Sequence, residues 1–338
     1  MFVGTDPITG TKRKKSVTAP TKKEAELLAA GLALKASDLN LAKQSKSLTV
    51  GEAIDRYIEQ KRAVLSPTTI QGYEKIRRNS FPSLMKMSIN KVTNPMLQSA
   101  VAYECNRKTR RGGYPSPKTI KEAFSLVATV IKKSRPNWSI NVDLPSPIRH
   151  IKHLPEPEAV LNAIKGSSVE LPVLLAAWLS LSMSEIRGIK WSSIYDRNGE
   201  KFVVIENSVV DVYGEAVEKS HTKTYTRTRA LRLPEYLCAL IDKTERTSEY
   251  LINMNRQTIY KRFVRILEQN SLPRMTFHDL RHLNASVMAM LAIPDKYAQE
   301  RGGWATDRIM KSVYQHTFAE ARRQADTKID DYFSSIMK

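Results

Sequence analysis

A repeated helix-start signal in residues 48–140 constrains the fold of this chain more than any other feature. Ser66 and Ser116 each stand directly before a proline, Thr93 stands two residues before one, and Thr49 begins a Thr-x-x-Glu sequence. A serine or threonine cap followed by proline, or by glutamate three residues later, is typical of a helix N-terminus. These signals predict helices at residues 49–63, 66–78, 96–107 and 118–134, which would form a compact bundle.

Shorter pieces flank the predicted bundle. Residues 1–20 predict a β-hairpin that turns at residues 6–10, where proline and glycine supply the required dihedral angles. Thr21 is a candidate cap for a helix at residues 22–37, with Glu24 in the capping-box position. Residues 38–47 are polar and unpatterned, and residues 141–155 carry three prolines. The predicted domains are therefore residues 1–47, with their linker, 48–140 and 156–338, with a second linker at 141–155.

Residues 156–338 mix helical periodicity with short β-branched runs. We expect strands at residues 201–205, 209–212 and 230–234 to form one small sheet, with a turn at Tyr213-Gly214. Helices are predicted at residues 158–165, 171–181, 182–190, 256–270, 278–291, 307–314 and 318–336. The predicted fold class is mainly α with small β-sheets (α+β), divided into several domains.

The positive charge of the chain favours a polyanionic partner. The formal net charge is +20, from 54 lysines and arginines against 34 aspartates and glutamates. Nucleic acid is the polyanion that such a surface usually meets, through counterion release at phosphates. A basic surface that merely faces solvent is the alternative. The residues predicted to contact DNA lie on the hairpin and on the bundle helices: Lys12, Arg13, Lys14, Lys15, Lys75, Arg77, Arg78, Lys118 and Lys121.

Cysteine content and hydropathy indicate a cytoplasmic location. The chain has two cysteines, Cys105 and Cys238, too few for a disulfide framework. Its longest apolar run, residues 171–183, is too short to span a bilayer. No secretory signal opens the chain, so we expect the bacterial cytoplasm or nucleoid, or a phage-infected host, and no membrane partner.

The stretch that carries chemistry is Phe277-His278-Asp279-Leu280-Arg281-His282, followed by Trp304 and Tyr314. His278 and Arg281 share one helix face, so both could reach one phosphate. Such donors beside a phenol suit covalent attack on a phosphodiester. A zinc site at His278 and His282 is the alternative, but Asp279 stands where a metalloprotease needs glutamate.

Three short sequences here resemble those of the tyrosine recombinase family, in particular integrases of phages and conjugative transposons. They are His278-Asp279-Leu280-Arg281-His282, Gly302-Gly303-Trp304 and Val313-Tyr314-Gln315-His316. The resemblance implies the fold of that family's DNA breaking and rejoining domain. It also implies that Tyr314 attacks DNA and forms a 3′-phosphotyrosine, so that a strand is rejoined without ATP, metal or other cofactor.

The resemblance implies a role for each neighbour of Tyr314. Arg281 would hold two phosphate oxygens, His278 would take the tyrosine proton, and Trp304 would donate its indole N–H to a phosphate oxygen. Lys223, in a hairpin before a strand, would protonate the departing 5′ oxygen. Lys219 and Arg227 are the alternatives to Lys223.

The resemblance also implies partners. These are double-stranded DNA at attachment sites, other copies of the chain in a tetramer on that DNA, and an excisionase or a DNA-bending accessory protein. The N-terminal module would bind arm sites separate from the exchange point. Such modules usually carry a further strand, so we expect that this N-terminus is trimmed.

One position departs from the family pattern. The family's first catalytic arginine precedes a glutamate by three residues, and here Ser182 precedes Glu185. Arg187 lies some 140° further around the helix axis, so it is a poor substitute. Loss of one preorganised donor typically costs about 10²–10³ in rate. We therefore predict impaired catalysis and expect Glu185 to lack its usual partner.

Two other functions remain open at this level. One is a recombinase relative that binds sites without cutting, which Ser182 favours. The other is a type IB topoisomerase-like enzyme, which would relax supercoils as a monomer.

Overall fold

The computed structural model describes residues 2–5, 12–14, 19–22, 24–26, 28, 48–110, 112–146, 154–220, 228–304 and 319–336. These belong to two compact units, Met1–Ile148 and Arg149–Lys338. Several predicted features lie outside the described residues: Lys15, Lys223, Tyr314 and the helix at 307–314.

The first unit contains the predicted hairpin and helical bundle. Strand β1 (Phe2–Thr5) pairs antiparallel with β2 (Lys12–Lys14), with Gly4 opposite Arg13. The N–H of Glu24 donates to the Thr21 hydroxyl, which confirms the predicted cap. The bundle helices are α1 (Val50–Lys61), α2 (Pro67–Asn79), α3 (Pro82–Met85), α4 (Asn94–Asn106) and α5 (Pro117–Ser134).

Capping explains where the bundle helices begin. Thr49 and Glu52 form a reciprocal capping box, and the hydroxyls of Ser66 and Ser116 accept N–H groups of the first turn. These contacts confirm three of the predicted starts. Thr93 precedes α4 without a side-chain cap bond. Apolar faces then bury Ile54, Leu97, Val127 and Ile131 in one core.

The sequence did not predict the short helix α3, which depends on a long-range contact. Phe81, directly before it, has a φ of 50° and is fully buried. Its N–H donates to the Glu104 carboxylate at 2.7 Å. That buried carboxylate also pairs with Arg107 at 2.8 Å. The charge-assisted bond offsets the cost of a left-handed conformation at a phenylalanine.

The second unit surrounds an apolar central helix. Its helices are α6 (Pro157–Ile164), α7 (Glu170–Leu179), α8 (Met183–Gly188), α9 (Glu235–Asp242), α10 (Arg256–Gln269), α11 (Asp279–Met290), α12 (Asp295–Gly302) and α13 (Ala319–Ile336). Nearly every residue of α7 is buried, with Leu175 and Leu179 fully inside the core. Among the described helices, none is long and apolar enough to cross a membrane.

The strands that the structure describes in this unit form two sheets, so the prediction of one sheet is wrong. Strands β3 (Ile194–Arg197), β4 (Glu200–Ile205) and β7 (Arg229–Arg232) form one antiparallel sheet in the order β3-β4-β7. Strands β5 (Asn207–Val212) and β6 (Glu215–Ser220) form a separate hairpin. Tyr213 and Gly214 turn between them, both with positive φ, as a tight hairpin turn requires.

Strand β5 lies close against α8. A Cβ at Gly188, the last residue of α8, would stand 2.7 Å from the Asn207 carbonyl oxygen. The lack of a side chain at Gly188 therefore permits the close contact between this helix and the start of β5.

Candidate functional site

The candidate site is built around a buried carboxylate, that of Glu185 on α8. Its Oε1 lies 3.2 Å from Nη1 of Arg229, and its Oε2 lies 3.2 Å from Nη1 of Arg281. The side chains of Glu185, Arg229 and Arg281 are 4%, 8% and 9% exposed, so solvent screens these pairs little. We call these three side chains the Glu185 cluster.

Arg281 is fixed by backbone carbonyls from two other segments. It projects from α11, and its Nη1 donates to the Ser180 carbonyl while its Nη2 donates to the Gly302 carbonyl at 2.8 Å. Ser180 ends α7 in the left-handed conformation, with φ 56°. These contacts hold the planar guanidinium in one orientation, as bidentate recognition of a phosphate requires.

Arg229 is a member of the cluster that sequence reasoning missed. It begins β7, and its Nε donates to the Arg301 carbonyl at 3.0 Å. Side chains alternate along a strand, so Arg229 shares the inward face of β7 with the buried Leu231. That inward register was the signal available in the sequence, since an arginine there needs a buried acidic partner.

Ser182 has a structural role where the family pattern has arginine. It caps α8, with its hydroxyl accepting the Glu185 N–H at 3.4 Å. Its own N–H donates to Glu185 Oε2 at 2.7 Å, which completes a capping box. In place of the arginine that Glu185 was expected to lack at position 182, Arg229 and Arg281 both bind its carboxylate.

Arg187 does not replace the missing arginine. Its side chain is buried and pairs with Asp211 on β5 at 2.9 Å. The guanidinium therefore stabilises the contact between α8 and the β5–β6 hairpin. This agrees with its predicted position around the helix.

His278 stands at the start of α11, beside Arg281. The residue is exposed, and its ring meets the His282 ring edge-to-face, with centroids 5.0 Å apart. Asp279 accepts bonds from the backbone N–H and hydroxyl of Thr276, so it fixes the entry into the helix. Within the described parts of the chain, no three histidine, cysteine or acidic side chains are grouped as metal ligands.

The Gly302-Gly303-Trp304 segment packs against both arginines. The Trp304 ring is buried with Ala285 and Met288, and its centroid lies 5.7 Å from the Arg281 guanidinium carbon. A Cβ at Gly302 would overlap that ring. A Cβ at Gly303, where φ is 64°, would come within 2.7 Å of Arg229 Nη1. Glycine at both positions therefore permits the close packing.

The charges of the cluster shift two pKa values. Burial alone would raise the pKa of Glu185, but Arg229 and Arg281 outweigh burial and lower it, so the carboxylate stays ionised. The pKa of His278 falls below its ordinary value of 6.5, first through desolvation and then through the charge of Arg281. Asp279 and Glu185 oppose that shift without reversing it. A neutral imidazole can accept a proton.

The predicted DNA contacts of the bundle differ in their surroundings. Lys75, Arg78 and Lys118 are exposed, and Lys121 is half-buried. Arg77 instead pairs with Asp55, with Nε and Nη2 both donating to the carboxylate at 3.0 to 3.1 Å. Arg77 would have to give up this internal pair to bind a phosphate.

A concave surface on the bundle adds candidates that the sequence did not indicate. Lys75 lines it, together with Arg110 and Tyr114. Of the N-terminal basic residues, Lys12, Arg13 and Lys14 form β2.

Replacing Glu185 by glutamine should destabilise the protein by about 3–5 kcal/mol, because Arg229 and Arg281 would keep buried charges without their carboxylate. Urea unfolding followed by tryptophan fluorescence measures this loss. Glu200→Gln is the matched control, since Glu200 pairs with Arg232 at the surface and should contribute less than about 1 kcal/mol. Equal losses in the two variants would contradict a buried role for Glu185.

Comparisons with known proteins agree on one family. Residues 165–321, which contain the Glu185 cluster, match the phage integrase family. A tyrosine recombinase XerC-like protein of Caldanaerobacter subterraneus subsp. tengcongensis is 23% identical over 207 residues, which are 53% of this chain and 53% of that protein. The chain thus spans about half the length of the curated relative that it matches.

Solved structures show the same fold. The integrase of the Tn1549 transposon in complex with transposon right end DNA has a TM-score of 0.65 at 16% identity, over 84% of this chain and 100% of that one. A lambda integrase tetramer bound to a Holliday junction has a TM-score of 0.58 at 17% identity, over 92% of this chain and 91% of that one. Residues 165–321 thus form a phage integrase segment within a chain that shares the fold of these solved integrases.

Proposed function

We propose that the chain is a site-specific recombinase that cleaves and rejoins duplex DNA during integration or excision of a mobile element. The observation that carries this proposal is the Glu185 cluster, with His278 at its edge, inside the segment that matches the phage integrase family. Fixed guanidinium groups suit a phosphodiester, because negative charge grows on the phosphorus oxygens in the transition state.

The proposed reaction is a phosphoryl transfer to the phenol of Tyr314. The Tyr314 oxygen bonds to phosphorus and the bond from phosphorus to the 5′ oxygen breaks. His278 takes the phenolic proton, and Lys223 gives a proton to the departing 5′ oxygen. Arg281 binds the phosphate oxygens and Trp304 donates its indole N–H. The reverse reaction, with another strand's 5′ hydroxyl as nucleophile, rejoins DNA without a metal or nucleotide.

The remaining parts of the chain would position the DNA. We assign arm binding to residues 1–47 and duplex binding to residues 48–140, joined to the catalytic residues 156–338 by a linker at 141–155. The exposed Lys75, Arg78 and Lys118, with Lys121 and Arg110, support phosphate contact by the bundle.

The proposed assembly is a tetramer of this chain on paired attachment sites. It is supported by the likeness to lambda integrase, which has been solved as a tetramer bound to a Holliday junction. An excisionase or a DNA-bending protein would set direction. The reaction would take place in the cytoplasm or nucleoid of a bacterium, or of a phage-infected host.

Tyr314→Phe should abolish covalent protein–DNA complexes while leaving DNA affinity within about twofold, because it removes only the nucleophilic oxygen. A suicide substrate from the ends of the element, resolved on a denaturing gel, measures the complex, and a mobility shift measures affinity. Tyr297→Phe is the matched control, since Tyr297 is an exposed tyrosine of the same unit. Covalent complex with Tyr314→Phe would refute this nucleophile.

The rate of covalent complex formation should fall as the pH drops below 6.5, the ordinary histidine value, with a midpoint on the acid side of it. The sign follows because a lowered pKa keeps His278 neutral, and able to accept a proton, into mildly acidic solution. Single-turnover rates across pH measure this. His278→Gln should react slowly, and its rate should no longer fall at acidic pH. If the rate of this variant falls at low pH as before, the fall is due to another group.

Ser182→Arg should speed covalent complex formation, by up to about 10²–10³-fold, if catalysis is impaired for want of an arginine donor. The same variant loses the α8 cap, at a cost of about 1 kcal/mol in stability, so melting temperature is recorded alongside. Equal rates for the native chain and the variant would remove the hypothesis of impairment.

Ser182 also favours a second function, a recombinase relative that assembles on its sites without cutting them. Site binding with no Tyr314-linked DNA in the native chain, and cleavage regained in Ser182→Arg, would support it. Covalent complex with the native chain would exclude it.

A further inference from the structure

We infer that Arg229 is a phosphate-binding residue that supplies the second guanidinium of the site, in place of the arginine absent at position 182. The inference rests on the proposed function and deepens it. It also replaces the hypothesis of impaired catalysis, because an Arg229 that serves as the donor leaves Ser182→Arg little to restore. It assigns to this chain a binding residue that lies outside the three sequences that carry the family resemblance.

Arg229 and Arg281 have matched environments. Each guanidinium lies 3.2 Å from one oxygen of the Glu185 carboxylate. Each also donates to a neighbouring carbonyl of one segment, Arg229 to Arg301 at 3.0 Å and Arg281 to Gly302 at 2.8 Å. Because the two share a carboxylate and adjacent backbone, a phosphate that reaches Arg281 lies beside Arg229.

Arg229 binds the same carboxylate, that of Glu185, that would orient an arginine at position 182. Ser182 contacts the Glu185 carboxylate through its backbone N–H, at 2.7 Å from Oε2. Arg229, at the start of β7, binds the other oxygen, Oε1. The carboxylate that would orient an arginine at position 182 therefore orients an arginine of β7 instead.

The charge of the cluster suits an anion. Glu185 remains ionised because the two arginines lower its pKa. One carboxylate between two guanidinium groups leaves these three side chains with a net single positive charge. In a buried setting such a charge attracts a phosphate more strongly than it would in water. Arg187, the arginine nearest to Glu185 in sequence, is held by Asp211.

The test is a double-mutant cycle that combines Arg229→Gln with Ser182→Arg. The quantity measured is the rate of covalent complex formation on a suicide substrate. In the native background, Arg229→Gln should lower the rate by about 10²–10³-fold, the usual effect of losing one preorganised donor. Arg229→Lys should recover part of it, because charge returns without the planar fork. With arginine at position 182, the same Arg229→Gln change should cost less than about tenfold.

Arg232→Gln is the matched control. Arg232 lies on the same strand, but it is exposed and pairs with Glu200 at 2.6 Å, so its loss should leave the rate unchanged. If Arg229 acted only in folding, Arg229→Gln would lower the rate by the same factor with serine or with arginine at position 182. Equal costs, or no cost, would overturn the inference, and melting temperatures identify any variant that fails to fold.

A second measurement separates this inference from the proposed function. If no variant forms covalent complex, the proposed cleavage fails, and inorganic phosphate then serves as the probe. Phosphate, compared with chloride at equal ionic strength, should raise the melting temperature of the native chain and of Arg232→Gln more than that of Arg229→Gln. An equal shift in all three would overturn the assignment of Arg229.

Discussion

The structure of the second unit depends on one buried ionic contact, that of the Glu185 carboxylate with two guanidinium groups. Burying these charges costs several kcal/mol per ion, so the contact persists only with its complete set of partners. Those partners come from α8, from α11 and from the start of β7. The side chains of the site are therefore brought together only when these three segments pack correctly.

Local signals predicted most helices, whereas the site required contacts that no local signal contains. Ser66 and Ser116 cap their helices through atoms three residues away, and such signals can be read directly. Strand β6 and helix α12 were missed because their polar sequences lack clear periodicity. Arg229 was missed because its partner Glu185 lies 44 residues away. His278 and Arg281 were found from their residue types and helical spacing, and the roles that the resemblance implies for them stay predictions.

In each unit a buried glutamate accepts a backbone N–H and also pairs with arginine. In the bundle, Glu104 accepts the N–H of the left-handed Phe81 and binds Arg107. In the second unit, Glu185 accepts the N–H of Ser182 and binds two arginines. The difference lies in charge: Glu104 and Arg107 balance each other, whereas the second cluster keeps an excess that a phosphate could neutralise.

The contact between Gly303 and Arg229 has an evolutionary consequence. Gly303 adopts a left-handed conformation, and any Cβ there would press on the Arg229 guanidinium. Relatives that carry a side chain at position 303 should therefore carry a residue smaller than arginine at position 229. The residues at these two positions should covary among relatives.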